Sequence, residues 1–298
     1  MSILQGGVPK CGNFWLYQII QQILTRSGRS TTSYIEQQPI YKLAKEWDLN
    51  FPDQARIDVL QITDLQVSYR ISSIFKMPVE NLQDYVRQAP HVWTHSPVCK
   101  KSGEVLDQFD KKIYIIRDPR DRAISASEYY CSPYMLKYFP QEETDPEKYL
   151  QKNFSKLMHD WVWHVYDHLR LSKEFNIHIT YFEMFLHDFS QELNHLLDYL
   201  NIELNQNEKE AIEKAVSFAK LKEENPQHLK KGTSGYWKEI LTEEQKEESE
   251  IIAGPLLRYL NYNIDGKQLM NTGTIPAHDD FELLKEELIL SQEQLYHS

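Results

Sequence analysis

At 298 residues, with 41% hydrophobic and 26% charged positions, the chain has the make-up of an ordinary globular protein and enough length for one large α/β domain or two small ones. Its formal net charge of -11 argues against a broad surface for a nucleic-acid backbone, yet leaves room for a local basic pocket around one anionic ligand. Three cysteines, Cys11, Cys99 and Cys131, form neither a C-x-x-C pair nor a zinc pattern, which is the usage of a reducing compartment, and no apolar run approaches membrane-spanning length.

The first pattern is a short apolar run, Ile3-Leu4, then Gly6-Gly7-Val8-Pro9-Lys10-Cys11-Gly12, then Trp15, Leu16, Ile19, Ile20, Ile23 and Leu24 at helical spacing. It predicts a strand, a tight loop and a helix N-terminus, where unpaired backbone N–H groups and the helix dipole suit a phosphate or sulfate. Lys10 adds a mobile cation. Gly7 and Gly12 have the spacing of a nucleoside-triphosphate loop, but Asn13 and Phe14 replace its Lys and Ser/Thr, which disfavours an ordinary ATPase or kinase. A loop beginning within ten residues of the start leaves no place for a cleaved leader, so a cytoplasmic protein is expected.

Gly28 is placed at the helix C-terminus. Residues 31–88 are the least regular stretch: Tyr41–Trp47 reads as a short helix, Val67–Ile71 as a brief strand or helical turn, and Pro78 as the start of a helix through Leu82 and Tyr85. Aromatic but weakly periodic, this stretch is expected to form an acceptor-side loop region outside the shared scaffold, with peripheral packing as the plainer alternative. His91–His95 and Lys112–Ile116 predict strands, the second delivering Arg117-Asp118-Pro119-Arg120 into a helix over Ala123–Tyr130. Open α/β sheets bind ligands at such strand ends.

Further on, Glu147–Ser172 predicts a long amphipathic helix, Ile177–Tyr181 a strand, and Phe185–Leu200 and Glu208–Phe218 two more helices. The acidic segment Asp280–Tyr296 predicts a surface-packed helix with a solvated face. Strands separated by helices imply an α/β fold, a mostly parallel central sheet covered by helices on both faces, over a single domain 1–298 with 267–298 as a C-terminal extension.

Two anion-binding loops and the basic run Lys230-Lys231-Gly232 ask for a ligand with more than one phosphate. With these motifs in order the sequence resembles the cytosolic-type sulfotransferases, which have a P-loop-like sheet and use 3′-phosphoadenosine 5′-phosphosulfate (PAPS) as sulfonate donor, leaving PAP. Pro9-Lys10-Cys11-Gly12-Asn13-Phe14-Trp15 resembles the family's P-K-S-G-T-T-W loop. The resemblance implies Lys10 at the transferring sulfonate, Gly12 and the following backbone around the 5′ group, and Trp15 against adenine. Cys11, Asn13 and Phe14 depart from Ser, Thr and Thr. Backbone donors survive these changes and Asn13 keeps an amide donor, whereas Phe14 cannot replace a hydroxyl.

Arg117-Asp118-Pro119-Arg120-Asp121 with Ser125 resembles the motif that holds the 3′-phosphate, and Lys230-Lys231-Gly232 resembles the late R-K-G. Lys231 and the Gly232 amide would meet that phosphate, while Lys230 gives up the bidentate geometry of Arg. Tyr181 and Phe218 match aromatic positions around adenine. Thr94-His95-Ser96-Pro97 matches T-H-x-P, which makes His95 the implied general base; Trp93 stands where the family has Lys, and His91 shares its strand face. The expected function is sulfonate transfer from PAPS to the hydroxyl, or the amine, of a small organic acceptor, without a metal, nucleic acid or membrane. A polar or cationic natural product is one acceptor the acidic chain could admit, and self-association into a homo-oligomer stays open. The alternatives are a non-catalytic nucleotide-binding or scaffold protein and a P-loop phosphotransferase.

Overall fold

In the computed structural model, which describes residues 1–51, 53–224, 232–262 and 280–296, the β-prone runs join into one sheet. Its strands are β1 (Ile3–Gly6), β2 (Asp58–Ile62), β3 (Val67–Ile71), β4 (Phe75–Pro78), β5 (His91–Thr94), β6 (Lys111–Ile116) and β7 (Ile177–Tyr181), in the order β4-β3-β2-β5-β1-β6-β7. Five of them, β2-β5-β1-β6-β7, are parallel neighbours, and β3 and β4 add an antiparallel edge. The four residues Ile113–Ile116 are all buried, as a central parallel strand covered on two faces requires.

The helices in chain order are α1 (Asn13–Arg26), α2 (Tyr41–Ala44), α3 (Leu82–Gln88), α4 (Ser102–Leu106), α5 (Pro119–Tyr130), α6 (Pro133–Tyr138), α7 (Pro146–Ser172), α8 (Phe182–His187), α9 (Phe189–Leu200), α10 (Gln206–Ala215), α11 (Phe218–Glu224), α12 (Trp237–Ile240), α13 (Glu243–Tyr259) and α14 (Phe281–Glu293). They flank the sheet in two groups, α1 with α9 and α10, and α5 with α7, α13 and α14. Sequence fixes several ends directly: Asp145 caps α7 through the Glu147 and Lys148 amides, and capping boxes Asn205/Glu208 and Thr242/Gln245 open α10 and α13.

Several expectations change. The weakly periodic stretch before residue 88 supplies three strands, and β2 belongs to the parallel array; its alternation is only five residues long. Its depth is marked instead by buried Asp58, whose carboxylate accepts from the Tyr34 and Ile35 amides at 2.7 and 2.9 Å. Pro78 closes β4 rather than opening a helix, and α3 begins after Asn81, whose side chain caps the Asp84 amide. The helix expected over Phe185–Leu200 is two, because Asp188 leaves helical geometry and caps α9. The pattern through Phe218 likewise divides at Val216 into α10 and α11. Helix α13 carried no expectation, since Pro255 interrupts its pattern, although it is buried over Ile252–Leu257. α14 packs on α13 through buried Leu284 and Leu288. Among the described residues no helix is long and apolar enough to cross a membrane.

Candidate active site

The C-terminal ends of β1, β5, β6 and β7 open into a cavity of about 540 Å³. At its floor the chain leaves β1 and enters α1 through Lys10 (φ 74) and Gly12 (φ 94), both left-handed. A Cβ on Gly7 would lie 2.6 Å from the Asn13 side chain and 2.9 Å from the Ile115 carbonyl, and one on Gly12 2.6 Å from the Phe182 ring, so both glycines are demanded by contact. The loop is closed by its own polar groups. Cys11 N–H and the Asn13 amide each donate to the Val8 carbonyl, at 3.1 and 2.8 Å, and Gln5 donates to the Asn13 carbonyl at 2.6 Å.

These bonds redistribute the expected roles. Cys11 is wholly buried outside the cavity, and burial pushes its thiol up to about 12, so it is an inert core residue. The amide of Asn13 is engaged by the loop backbone. Phe14 faces an aromatic wall, 4.7 Å edge-on to Phe51 and clustered with Tyr17, Ile57 and Trp93. Lys10 lines the cavity with its ammonium 4.5 Å over the Tyr129 ring.

The second loop gives three arginines three tasks. Arg117 lines the cavity, donates to the carbonyls of Lys10 at 3.2 Å and Thr233 at 3.3 Å, and lies 4.3 Å over the Phe182 ring. Its buried Nε has no partner, a donor suited to an anion in the cavity. Arg120 is instead paired with buried Asp118 at 2.7 Å and sits 3.8 Å over Trp237. Arg122 ties the first loop to α7 by donating to the Pro9 and Leu157 carbonyls. Ser125 lines the cavity from the second turn of α5.

Asp121, fully buried, accepts from the Gly235 amide at 2.5 Å and the Trp237 amide at 2.9 Å. This holds the late glycine segment over the cavity, where Gly232 (φ 60) packs on Phe218 so closely that a Cβ would come within 2.3 Å of the ring. Lys230 and Lys231 lie outside the described residues. Trp15, Phe182 and Phe218 line one aromatic region, Trp15 donating its indole N–H to the Val216 carbonyl at 2.8 Å. Tyr181 does not line the cavity: it is the last residue of β7, 1% exposed, and the next residue, Phe182, reaches the cavity instead. Tyr181 ends β7 and Phe182 begins α8, so the chain changes conformation between them and an offset of one residue exchanges the two.

His95 lines the cavity at the end of β5. Its Nδ1 lies 2.6 Å from the Gly7 carbonyl, which can only accept, so Nδ1 carries the proton and Nε2 holds the lone pair. Burial first, then the charges of Arg70, His164 and Lys10, bring its pKa down to about 3, against the raising effect of the Gly7 bond. The imidazole is therefore neutral at physiological pH. Behind it His164 donates from Nε2 to the His95 carbonyl at 3.2 Å and accepts from Tyr114 at 2.7 Å, a support that no sequence motif pointed to. His91 on the same strand face is buried away from the cavity, held by Gln5 and Gln21 and stacked 4.8 Å from Tyr17.

Phe51, Ile57, Val59, Arg70, Phe75 and Met135 complete the other wall, residues without a motif: Val59, Arg70 and Phe75 come from β2, β3 and β4, Phe51 and Ile57 from the chain before β2, and Met135 from α6. The donors and glycine cradles thus fit a nucleotide with two separated anionic groups beside an apolar chamber.

The sulfotransferase domain family matches residues 2–259. Mouse sulfotransferase 2A2 is 25% identical over 255 residues, 80% of this chain and 78% of that protein, and mouse sulfotransferase 1A1 is 25% identical over 271 residues, 83% and 81%. A shorter match, 25% over 177 residues, spans 54% of this chain and 61% of mouse sulfotransferase 2A6. Among solved structures, mouse sulfotransferase SULT7A1 complexed with PAP superposes with a TM-score of 0.57 at 20% identity, over 96% of this chain and 87% of that one. Retinol dehydratase in complex with androsterone and PAP gives 0.54 at 15%, over 86% and 80%.

Proposed function

The chain belongs to the sulfotransferase family, a PAPS-dependent transferase of sulfonate to small-molecule acceptors, and from this premise we propose that His95 is its general base. The observation that carries this is the tautomer set by the Gly7 carbonyl, which leaves Nε2 as the acceptor in the wall of the cavity that holds the first loop. When bound, PAPS supplies an activated sulfonate. Lys10 and the start of α1 would hold its 5′ end, Arg117, Ser125 and Gly232, with Lys230 and Lys231, its 3′-phosphate, and Trp15, Phe182 and Phe218 its adenine. His95 would take the proton from the acceptor's hydroxyl, and Lys10 would offset the negative charge that develops at the donor's 5′ end.

In this reading the chain is one domain working in the cytoplasm, 31–88 helps to form the acceptor chamber, and 267–298 is an extension. Calorimetry with PAP and ATP, together with a transfer assay from PAPS to a panel of phenols, tests it. PAP should bind at least 10-fold tighter than ATP, which lacks the 3′-phosphate. His95→Ala and His95→Asn should lose roughly 10²-fold or more in turnover while keeping PAP affinity. Equal affinity for ATP would remove the donor assignment, and a folded His95 variant with normal single-turnover transfer would remove the base. A second reading, nucleotide binding without turnover, is favoured by Trp93 at the family's Lys position; PAP binding without transfer to any acceptor would select it.

A further inference from the structure

The cavity lining carries positive charge beyond the residues assigned to the donor. Besides Lys10 and Arg117, it includes Arg70 on β3 and Lys76 on β4. These two are register partners across the antiparallel β3/β4 pair, and like charges placed directly opposite destabilise a sheet. Among the described residues neither forms an ion pair, and the groups whose charges bear on Arg70 are Tyr129, Tyr130 and Tyr134. Burial raises the Tyr129 and Tyr134 hydroxyls above their ordinary value, so these are neutral neighbours rather than counter-ions. Among the described residues Glu128 is the one carboxylate in the lining, and its charge bears on Tyr236 near the Gly232 segment.

Two donors in the same lining residues are also unused. The Arg70 Nε and the Trp93 indole N–H are both buried without a partner. A buried donor left unpaired is costly, more so when it is charged. Trp93 clusters with Phe14 and Phe51, Phe75 lines the same cavity, and the uncharged Gln54, Gln61, Ser72 and Ser73 complete this side. Such a chamber repels a cation and fits a flat apolar body bearing an oxyanion.

We infer that the acceptor is an anionic hydroxy-aromatic or similar apolar molecule whose carboxylate, or comparable oxyanion, is received by Arg70 with Lys76 beside it. This rests on the sulfotransferase reading for the name acceptor, and it replaces the cationic acceptor that the acidic composition allowed. Arg70 is then a specificity residue: its planar fork can hold a carboxylate bidentately, in the lining of the cavity that His95 also lines.

The test separates binding from transfer. The full chain, saturated with PAP, is titrated calorimetrically with 6-hydroxy-2-naphthoate and with the matching carboxamide, and transfer from PAPS to both is assayed in parallel. The carboxylate should bind at least 10-fold tighter, the ratio should fall close to one in Arg70→Gln, and Arg70→Lys, which keeps the charge without the fork, should restore part of it, with PAP affinity and melting temperature reporting on the fold. Equal or weaker carboxylate binding by the unaltered chain, failure of both probes to bind, or a preference that survives Arg70→Gln overturns the inference. A preference that depends on Arg70 without transfer to either probe supports the anion site and counts against turnover alone.

Discussion

His95 meets the cavity as a neutral imidazole because one nitrogen is bound by the Gly7 carbonyl and burial opposes protonation of the other. Nitrogen chemical shifts of the His95 ring in the free protein should therefore report the Nδ1–H tautomer unchanged from pH 8 to pH 5, and a midpoint near the ordinary value of about 6.5 would contradict the buried geometry. Phe14 shows how far a motif can be read. Its mismatch with the family was visible, but its destination, against Phe51 in a five-residue aromatic and aliphatic cluster, was not, since Phe51 lies 37 positions along the chain. Phe14→Thr restores the family's residue and opens a cavity in that cluster, so a loss of roughly 2–4 kcal/mol is expected, with PAP affinity changed less than 3-fold. Denaturant unfolding and PAP titration check both halves. Tyr181 and Asn13 teach the same limit: a one-residue offset at a strand end, and a side chain turned to its own loop, leave no trace in a linear pattern.

Elements were legible where apolar runs were long or periodic. β6, β7, α1 and α7 are where the sequence predicts them, because a buried parallel strand and an amphipathic helix both need several consecutive positions of one kind. The short strands β2 and β4 and the helices α4, α6 and α12 offer four to six residues each, too few to stand out, and they form because the neighbours pair or pack with them. The late glycine segment is held by one such tertiary contact. Asp121, 114 positions before Gly235, accepts the Gly235 and Trp237 amides, while Tyr236 donates to the Asp121 carbonyl. In Asp121→Ala two backbone donors lose their partner, at about 1–3 kcal/mol each, and the Thr233 carbonyl that receives Arg117 loses its anchor. The variant should melt lower and bind PAP at least 10-fold more weakly. Lower melting with unchanged PAP affinity would show that Gly232 and Arg117 are placed without this anchor.

The whole molecule adds buried titratable groups of two opposed kinds, so its response to acid depends on which kind wins. Burial lowers His91 and His95 to about 3 and His164 and His178 to about 4, and takes His168 well below its ordinary value. Burial also raises Asp58 and Glu183 to about 7 and Asp121 to about 6. As pH falls through about 6.5, the unfolded chain takes protons on the histidines that the native chain refuses, and stability is lost down to the native values. The carboxyls act the other way: the native chain is protonated at about 6 to 7 and the unfolded chain only near 4, so they add stability as pH falls through the same interval. Among the described residues six histidines, with His159 also lowered, oppose four carboxyls, with Asp167 also raised, and since the displacements are of similar size the greater number of histidines should let their effect prevail. Calorimetric melting at constant ionic strength should show a plateau at pH 7–8 and a steady fall of Tm from pH 6.5 to pH 4.5. His91→Gln should reduce that slope, because a glutamine keeps hydrogen-bonding capacity toward Gln5 and Gln21 and does not titrate. A Tm that holds level or climbs between pH 6.5 and 4.5 would mean that the buried carboxyls, with Glu183 held by the Asp118 amide and Tyr262 hydroxyl, dominate the proton balance of the fold.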